Sequence, residues 1–533
     1  APRLSAAWSP KFTGGWLHRV VGDGKTVFRG GYARLYDRLN GVQKAIDPLQ
    51  GLGYGQSQVC MGPSRSGACL GPSSTDPSTA FRIGVDGSAV PIPALSGISV
   101  PFIPGTSNIA SANQPYANSV YNIDPTYKPS PNHSWNFTVQ RAMPGNSLLE
   151  IGYVGRHASG LYSPIDLNQA PFFMVYGGQS FAQAFDNVAA QLRAGNAPTP
   201  QPFFESALAG SSLCTTNCTA GVAAQYSGSF LTRSVYNLWN GIQPSFVFGA
   251  ATPAAYQTGT FFFYTNQGYS NYNAGFLSYR VRDWKGLSLD ANFTFGHSLD
   301  TAGQVQSNDT NVSNAYNLDY DYGPSPFDRK FVFNLLGYYQ IPLGRHGGNR
   351  VVNYMLQDWA IAPIFSAYSG LPLEVTDGSC QEFGQGSGGS CTDAILITKN
   401  TFGHSAHFGV TGSRTTGVGI SGDPATGGSG INLFADPNAV YNAFRPVEIS
   451  RDTTSRGGVL RGQNRWNLDL NVTRRFRFGE RISTTFSASF FNVFNHVEYS
   501  DPSLNLQSPN SFGVISGQFN SPRVVEFGLH LDF

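Results

Sequence analysis

Six cysteines fall into three short-range pairs, Cys60/Cys69, Cys214/Cys218 and Cys380/Cys391. A thiol can ligate a metal, attack an electrophile or form half of a disulfide. These pairs lack the CxxC spacing of zinc knuckles and have no companion histidine at ligand spacing. All three sit among small and polar residues, so disulfides closing small loops outside the cytosol fit best. Metal binding or free thiols is the rival reading. His404 and His407 could share a metal, but they lie in a loop without a third ligand. Asp319, Asp321 and Asp328 surround a Gly-Pro turn and could hold calcium. Their spacing is not that of an EF-hand, and solvated loop acids are the simpler reading. Gly417 to Gly422 matches GxGxxG, yet no strand precedes it and no helix follows, which points to a loop rather than a dinucleotide site. Arg474, Arg475, Arg477 and Arg481 crowd one turn, where long basic side chains suit a lipid headgroup surface. No nucleophile, base and acid converge, so neither an enzyme nor a cofactor is expected.

What must position such residues follows from composition. The chain has 533 residues, only 12% of them charged, and 13% are aromatic. The charged share is about half of the roughly 25% usual in globular domains. A surface poor in charge and rich in rings suits contact with lipid. The net charge of +2 implies no nucleic-acid partner. No stretch approaches the roughly 18 apolar residues of a membrane helix, whereas a membrane strand needs only about 9–11 residues, half of them facing the lumen. Ala1 is neither an initiator Met nor the start of a signal peptide, and the N-terminus reads as processed or truncated.

The C-terminal end, Gln463 to Phe533, carries three runs of period two. Trp466, Leu468, Leu470 and Val472 oppose Asn467, Asp469, Asn471 and Thr473. Ile482, Phe486, Ala488 and Phe490 oppose Ser483, Thr485, Ser487 and Ser489. Val525, Phe527, Leu529, Leu531 and Phe533 oppose Glu526, Gly528, His530 and Asp532. Successive side chains of a strand point to opposite faces, so each run has one oily and one wet side. Upstream, strands are expected at Leu4–Trp8, at Thr26–Tyr36, around Trp135–Gln140, after the Pro144-Gly145-Asn146 turn, and at 270–282, 287–297, 327–341 and 356–368. Residues 37–131, 158–269 and 369–462 read as long loops, the second holding a short helix around Ser180–Arg193. Long and short connections alternate, as they do where short turns face the periplasm and long loops face outside. The count is about eleven strands, the first running inward, and this parity predicts further strands before Ala1. Trp135, Trp359 and Trp466 fall at strand ends, where rings form girdles. Glu150, Arg280, Asp290, Asp469 and Glu526 fall on wet faces. They are expected to line a lumen and there to touch a plug or solute, or to pair with one another.

Two resemblances sharpen this. The final strand, with Phe527, Leu529, Leu531 and the terminal Phe533, resembles the insertion signal that the barrel-assembly machinery reads on bacterial outer-membrane β-barrels. Thr26–Arg38, Pro131–Tyr153, Ser270–Asp300, Tyr322–Pro342, Trp359–Val375 and Gly462–Phe533, with FFNVFNH at 490–496, together resemble TonB-dependent outer-membrane receptors of the Oar-like type, which carry a carboxypeptidase-regulatory-like domain. That resemblance implies an all-β, antiparallel transmembrane barrel of roughly 22 strands with long extracellular loops, of which residues 1–533 would be the C-terminal part. It implies residence in the bacterial outer membrane, contact with lipid, and energy delivered by TonB through upstream segments. The plug, TonB box and regulatory-like domain of that family have no counterpart in this sequence. Uptake of an unidentified bulky nutrient is therefore the expected function. The alternative is a structural or surface-interaction barrel whose loops bind other envelope proteins without transport. A secreted soluble β-protein is the third reading.

Overall fold

A computed structural model describes residues 2–37, 64–65, 79–90, 120–247, 261–301, 312–343, 350–378, 380–385, 394–398, 402, 404–454, 460–478 and 481–533. Alternation in the sequence becomes one sheet. Its strands are β1 Arg3–Trp8, β2 Thr26–Tyr36, β3 Val120–Ile123, β4 Pro131–Met143, β5 Ser147–Asp166, β6 Phe261–Trp284 and β7 Leu287–Asp300. They continue with β8 Gly323–Pro324, β9 Phe331–Gln340, β10 Trp359–Tyr368, β11 Arg465–Phe478, β12 Ile482–Phe491 and β13 Val524–Asp532. The main path has eleven strands in the order β1-β2-β4-β5-β6-β7-β9-β10-β11-β12-β13, the number expected from the sequence. Every neighbouring pair on it is antiparallel. The short strand β8 pairs with β7, and β3 adds to β6 in parallel.

Register turns eleven separate alternations into two continuous faces. Trp8, Phe28, Val139, Ile151, Leu277, Phe293, Phe333, Ala367 and Trp466 are successive cross-strand partners, an apolar row over nine strands. One residue along, Gln140, Glu150, Ser278, Asn292, Asn334, Ser366 and Asn467 form a polar row over seven. A slip of one residue in any pair would break both rows, so the pattern fixes the register. The apolar row is not a core. Ile151 is 55% exposed, Phe293 39%, Phe527 69% and Leu529 75%, and Leu468 is half-buried. Among the described residues no second layer covers them, unlike the paired layers of a sandwich. Among the described residues no helix is long and apolar enough to cross a membrane.

The turns follow their residue types. Gly145 and Asn146 take positive φ in the β4–β5 turn, as do Lys285 and Gly286 between β6 and β7 and Asp283 at the end of β6. Gly155 has a different reason. The indole of its cross-strand partner Trp135 lies across it, and an added Cβ would meet Nε1 at 2.2 Å.

The true hydrophobic cores sit in the long connections. Seven-residue α1 spans Gly15–Val21, between β1 and β2. Residues 167–247 fold into α2 Phe181–Arg193, α3 Pro202–Ala207, α4 Cys218–Gln225, α5 Ser227–Leu231 and α6 Val235–Ile242. Helix α2 starts where expected, because Ser180 and Gln183 form a reciprocal capping box. Phe181, Phe185, Phe203, Phe204, Phe230 and Ile242 are fully buried between these helices. A second core, around Leu433, Phe434, Leu460, Leu504 and Phe512, joins the connections after β10 and β12.

Several boundaries differ from the sequence reading, among them β3, which lies inside the stretch read as a loop from 37 to 131. Strands β5 and β6 run on to Asp166 and back from Phe261, well into the stretch read as a loop from 158 to 269. Register shifts near Ser159 and Leu161 interrupt the ladder, and Phe262, Ser163 and Tyr264 beyond it are all buried. With both faces covered, that end loses alternation. The stretch leading into β10 is α7, Arg350–Leu356, so the strand expected from 356 begins only at Trp359. Its apolar residues at 352, 355 and 356 follow helical spacing.

Candidate functional site

The sequence candidates on the polar face lie on one surface, in three groups. Arg280 and Asp290 are direct cross-strand partners, and Nε lies 3.1 Å from the carboxylate. Asn292 Nδ2 donates to the other oxygen of Asp290 at 3.1 Å. These two residues therefore pair with each other. Asp469 accepts from Asn467 Nδ2 and from the backbone N–H of Asn492, each at 2.8 Å. Glu150 stands opposite Gln140 and Ser278, and Glu526 opposite Ser489. Near the short-turn end, Arg475 Nη2 donates to Ser483 Oγ at 2.9 Å, and His530 reaches Asp532 at 2.9 Å.

Above the long-loop ends of the strands, the described parts of the connections after β5, β7, β10 and β12 lock together. The buried Arg233 joins three of their segments. Nη2 donates to Asp186 of α2 at 2.9 Å, and Nε lies 3.8 Å from Asp377 after β10. The guanidinium sits 4.9 Å over the Phe185 ring. Both carboxylates also accept backbone N–H groups, Asp186 from Ser450 and Asp377 from Val447. Burial pushes the Asp377 carboxyl above its ordinary value, against the opposing pull of Arg233 and Arg193. Gln169 spans three connections: its Nε2 donates to the carbonyls of Ser313 and Phe383 at 3.1 and 2.7 Å, and its Oε1 accepts from Ala315 N–H at 2.7 Å. Glu205 caps α4 by accepting the N–H groups of Cys218 and Thr219. Cys214 and Cys218 form a disulfide beside that cap.

Nothing in the local sequence marks Arg233, Asp377 or Gln169, because their partners lie 47 to 214 residues away. The other candidates disperse. Asp319 accepts from the Tyr269 hydroxyl, Asp321 from Ser313 N–H, and Asp328 pairs with Arg461. Burial pushes Asp328 up, but hydrogen bonds from Arg461 and Ser298 N–H outweigh it and hold its carboxyl below the usual value. His404 Nδ1 contacts the Arg461 carbonyl at 3.0 Å, and His407 pairs with Asn432 in a two-residue ladder. The GxGxxG stretch ends in a 3₁₀ turn at Ile420–Gly422. Of the four clustered arginines, Arg477 and Arg481 are exposed, but Arg474 is buried under α7. Cys380 is disulfide-bonded, and Cys60, Cys69 and Cys391 lie outside the described residues.

Chemically, the arrangement offers a surface of paired polar groups. Among the described residues no three His, Cys, Asp or Glu side chains gather as a metal would need. The loop body does present aromatic rings: Phe173 and Tyr316 are exposed and meet edge-on at 4.7 Å between centroids.

A family model described as "Outer membrane beta barrel domain" matches residues 1–526. Among solved structures, similarity is found to the outer-membrane transporter YddB of Escherichia coli, with 9% identity and a TM-score of 0.39 over 99% of this chain and 40% of that one. The ferric-catecholate import receptor Fiu of E. coli K12 gives 8% identity and a TM-score of 0.31, over 96% of this chain and 33% of that one. The ferripyoverdine receptor of Pseudomonas aeruginosa gives 8% and 0.30, over 100% of this chain and 33% of that one. The chain thus spans 40% or less of the length of these structures. No curated protein matches the sequence.

Proposed function

The chain belongs to the outer-membrane β-barrel domain family, and from that premise we propose that it forms the C-terminal wall of a TonB-dependent receptor of the Oar-like type. The complete wall would have roughly 22 strands. Its polar face, with Glu150, Arg280, Asp290, Asp469 and Glu526, lines the lumen, and its apolar face meets lipid. Phe527, Leu529, Leu531 and Phe533 form the signal read by the barrel-assembly machinery, and the cysteines close disulfides in the outer loops. A bulky nutrient makes first contact with those loops and passes along the polar face. TonB drives it through segments outside residues 1–533.

One observation carries this reading: the described parts of the connections after β5, β7 and β10 pack together, tied by Arg233 and Gln169, at the long-loop end of a two-faced sheet. Preordered loops bind with less entropic loss than mobile ones. The same observation supports a second reading, a surface-interaction barrel whose loop body binds partner proteins.

Uptake of a labelled nutrient panel by cells with and without the gene separates the two. Uptake that disappears on deletion, and also on adding a protonophore, supports the receptor. Unchanged uptake together with lost cell-surface partner binding supports the second reading. Uptake that depends on the gene but resists the protonophore rules out TonB-driven transport.

A further inference from the structure

Helix α7 opens a question about the short-turn margin of the sheet. Val352, Met355 and Leu356 lie at i, i+3 and i+4, one stripe of a helix, and are 50%, 54% and 42% exposed. Asn353 and Tyr354, on the other side, are half-buried. A seven-residue helix is too short to persist in water on propensity alone. Something must hold it, and something must cover its apolar stripe.

What holds it is Arg474 of β11. Arg474 belongs to the apolar face, since its cross-strand partners are Trp359 and Phe486. It is only 4% exposed. Its Nη2 donates to the Tyr354 carbonyl in the last turn of α7, where a cation suits the helix dipole. Its guanidinium lies 4.0 Å from the Phe476 ring centroid, 5.4 Å from Trp359 and 5.8 Å from Tyr354. Trp359 Nε1 donates to the Met355 carbonyl at 3.0 Å. The helix is therefore pinned against the apolar face, not the polar one, and its exposed stripe continues that face.

We infer that α7 is an interfacial anchor, lying in the periplasmic leaflet with Val352, Met355 and Leu356 in the boundary between phospholipid headgroups and acyl chains. Continuity with the lipid-facing wall argues for lipid as the occupant. Arg474 supports it too: a cation on the lipid side of a strand is costly, and the helix shields it while supplying its hydrogen-bond acceptor. Exposed Arg481 at the neighbouring turn suits the phosphates of the same leaflet. The inference rests on the wall reading above.

The test is site-directed spin labelling of the protein expressed from its gene and studied in isolated outer membranes. Nitroxides are placed at Leu356→Cys, at Phe293→Cys in the middle of the apolar face, and at Leu167→Cys in the loop body. Relative collision rates with oxygen, which favours the bilayer, and with a water-soluble nickel chelate give depth. The Leu356 label is expected to fall between the other two, shallow but sheltered from nickel. Adding Arg474→Gln is expected to raise its nickel accessibility. A Leu356 label as nickel-accessible as Leu167, with Phe293 still deep, overturns the anchor and leaves the wall standing. A Leu356 label shielded from both reagents overturns it in favour of a protein partner. A Phe293 label exposed to nickel overturns the wall itself. Met355→Cys replaces Leu356→Cys if the latter fails to assemble.

Discussion

Single residues decide how the loop body and the sheet hold together. Arg233 is a buried cation shared by two buried carboxylates, so its removal strands negative charge in a dry site. Arg233→Met is expected to destabilise the loop body by about 3–5 kcal/mol. Limited proteolysis should then cut within 167–247, while the heat-modifiable migration of the strands stays unchanged. Gly155 is a packing demand rather than a turn demand, because Trp135 occupies the space of its missing side chain. Gly155→Ala should cost about 1–3 kcal/mol in chemical unfolding, the usual penalty for overpacking. The same change in a Trp135→Ala background should cost much less, and equal costs in both backgrounds would refute the pairing. Asp328 sets a pH limit. Its folded carboxyl titrates below the ordinary 3.8. Its ion pair with Arg461 therefore stabilises the fold above that value and loses this contribution as pH falls through the lowered one. Acid-induced exposure of the loops below pH 3.8 should be followed by proteolysis across a pH series, and Asp328→Asn should flatten that dependence.

At the scale of elements, a strand is legible when its two faces meet different surroundings. Strands β11 to β13 and β7 could be read directly because one face is mostly apolar and the other mostly polar. Where β5 and β6 rise into the loop body, both faces are buried and the alternation fades. Helix α7 was hidden because its apolar residues run into those of β10, and its holding contact, Arg474, comes from more than a hundred residues later. The place of Glu150, Arg280, Asp290, Asp469 and Glu526 on the polar face was legible from period two alone. The loop-body residues Arg233, Gln169 and Asp377 were not, since nothing local in the sequence encodes partners brought together by folding. The two faces of β7 give a direct comparison. Phe293→Arg puts a charge among apolar neighbours facing lipid and should cost about 2–4 kcal/mol near mid-bilayer. Thr294→Arg points the same charge to the polar face and should be tolerated. Guanidinium unfolding in phospholipid vesicles measures both, and equal penalties would contradict the assignment of faces.

For the molecule as a whole, strand direction carries the argument. Each step along the main path reverses direction, and the path has eleven strands, so β1 and β13 run the same way. They lie at the two margins of the sheet and, among the described residues, pair with one neighbour each. An unpaired row of backbone N–H and C=O groups cannot stay in hydrocarbon, because each group there costs several kcal/mol. Either β1 and β13 close on each other through a parallel seam, or further strands stand between them. Antiparallel walls of even number are the rule in bacterial outer membranes, and we expect intervening strands. Cysteine crosslinking in native outer membranes distinguishes the two. Ser487→Cys with Gly528→Cys and Ser5→Cys with Gly31→Cys join register partners and should form disulfides under mild oxidation. Ser5→Cys combined in turn with Cys at Glu526, Gly528, His530 and Asp532 scans any parallel seam on the polar face, and none of these pairs should crosslink. A bond in one of them would close the wall at eleven strands and leave too narrow a lumen for a plug and a bulky nutrient. The receptor reading would then give way to the surface-interaction one.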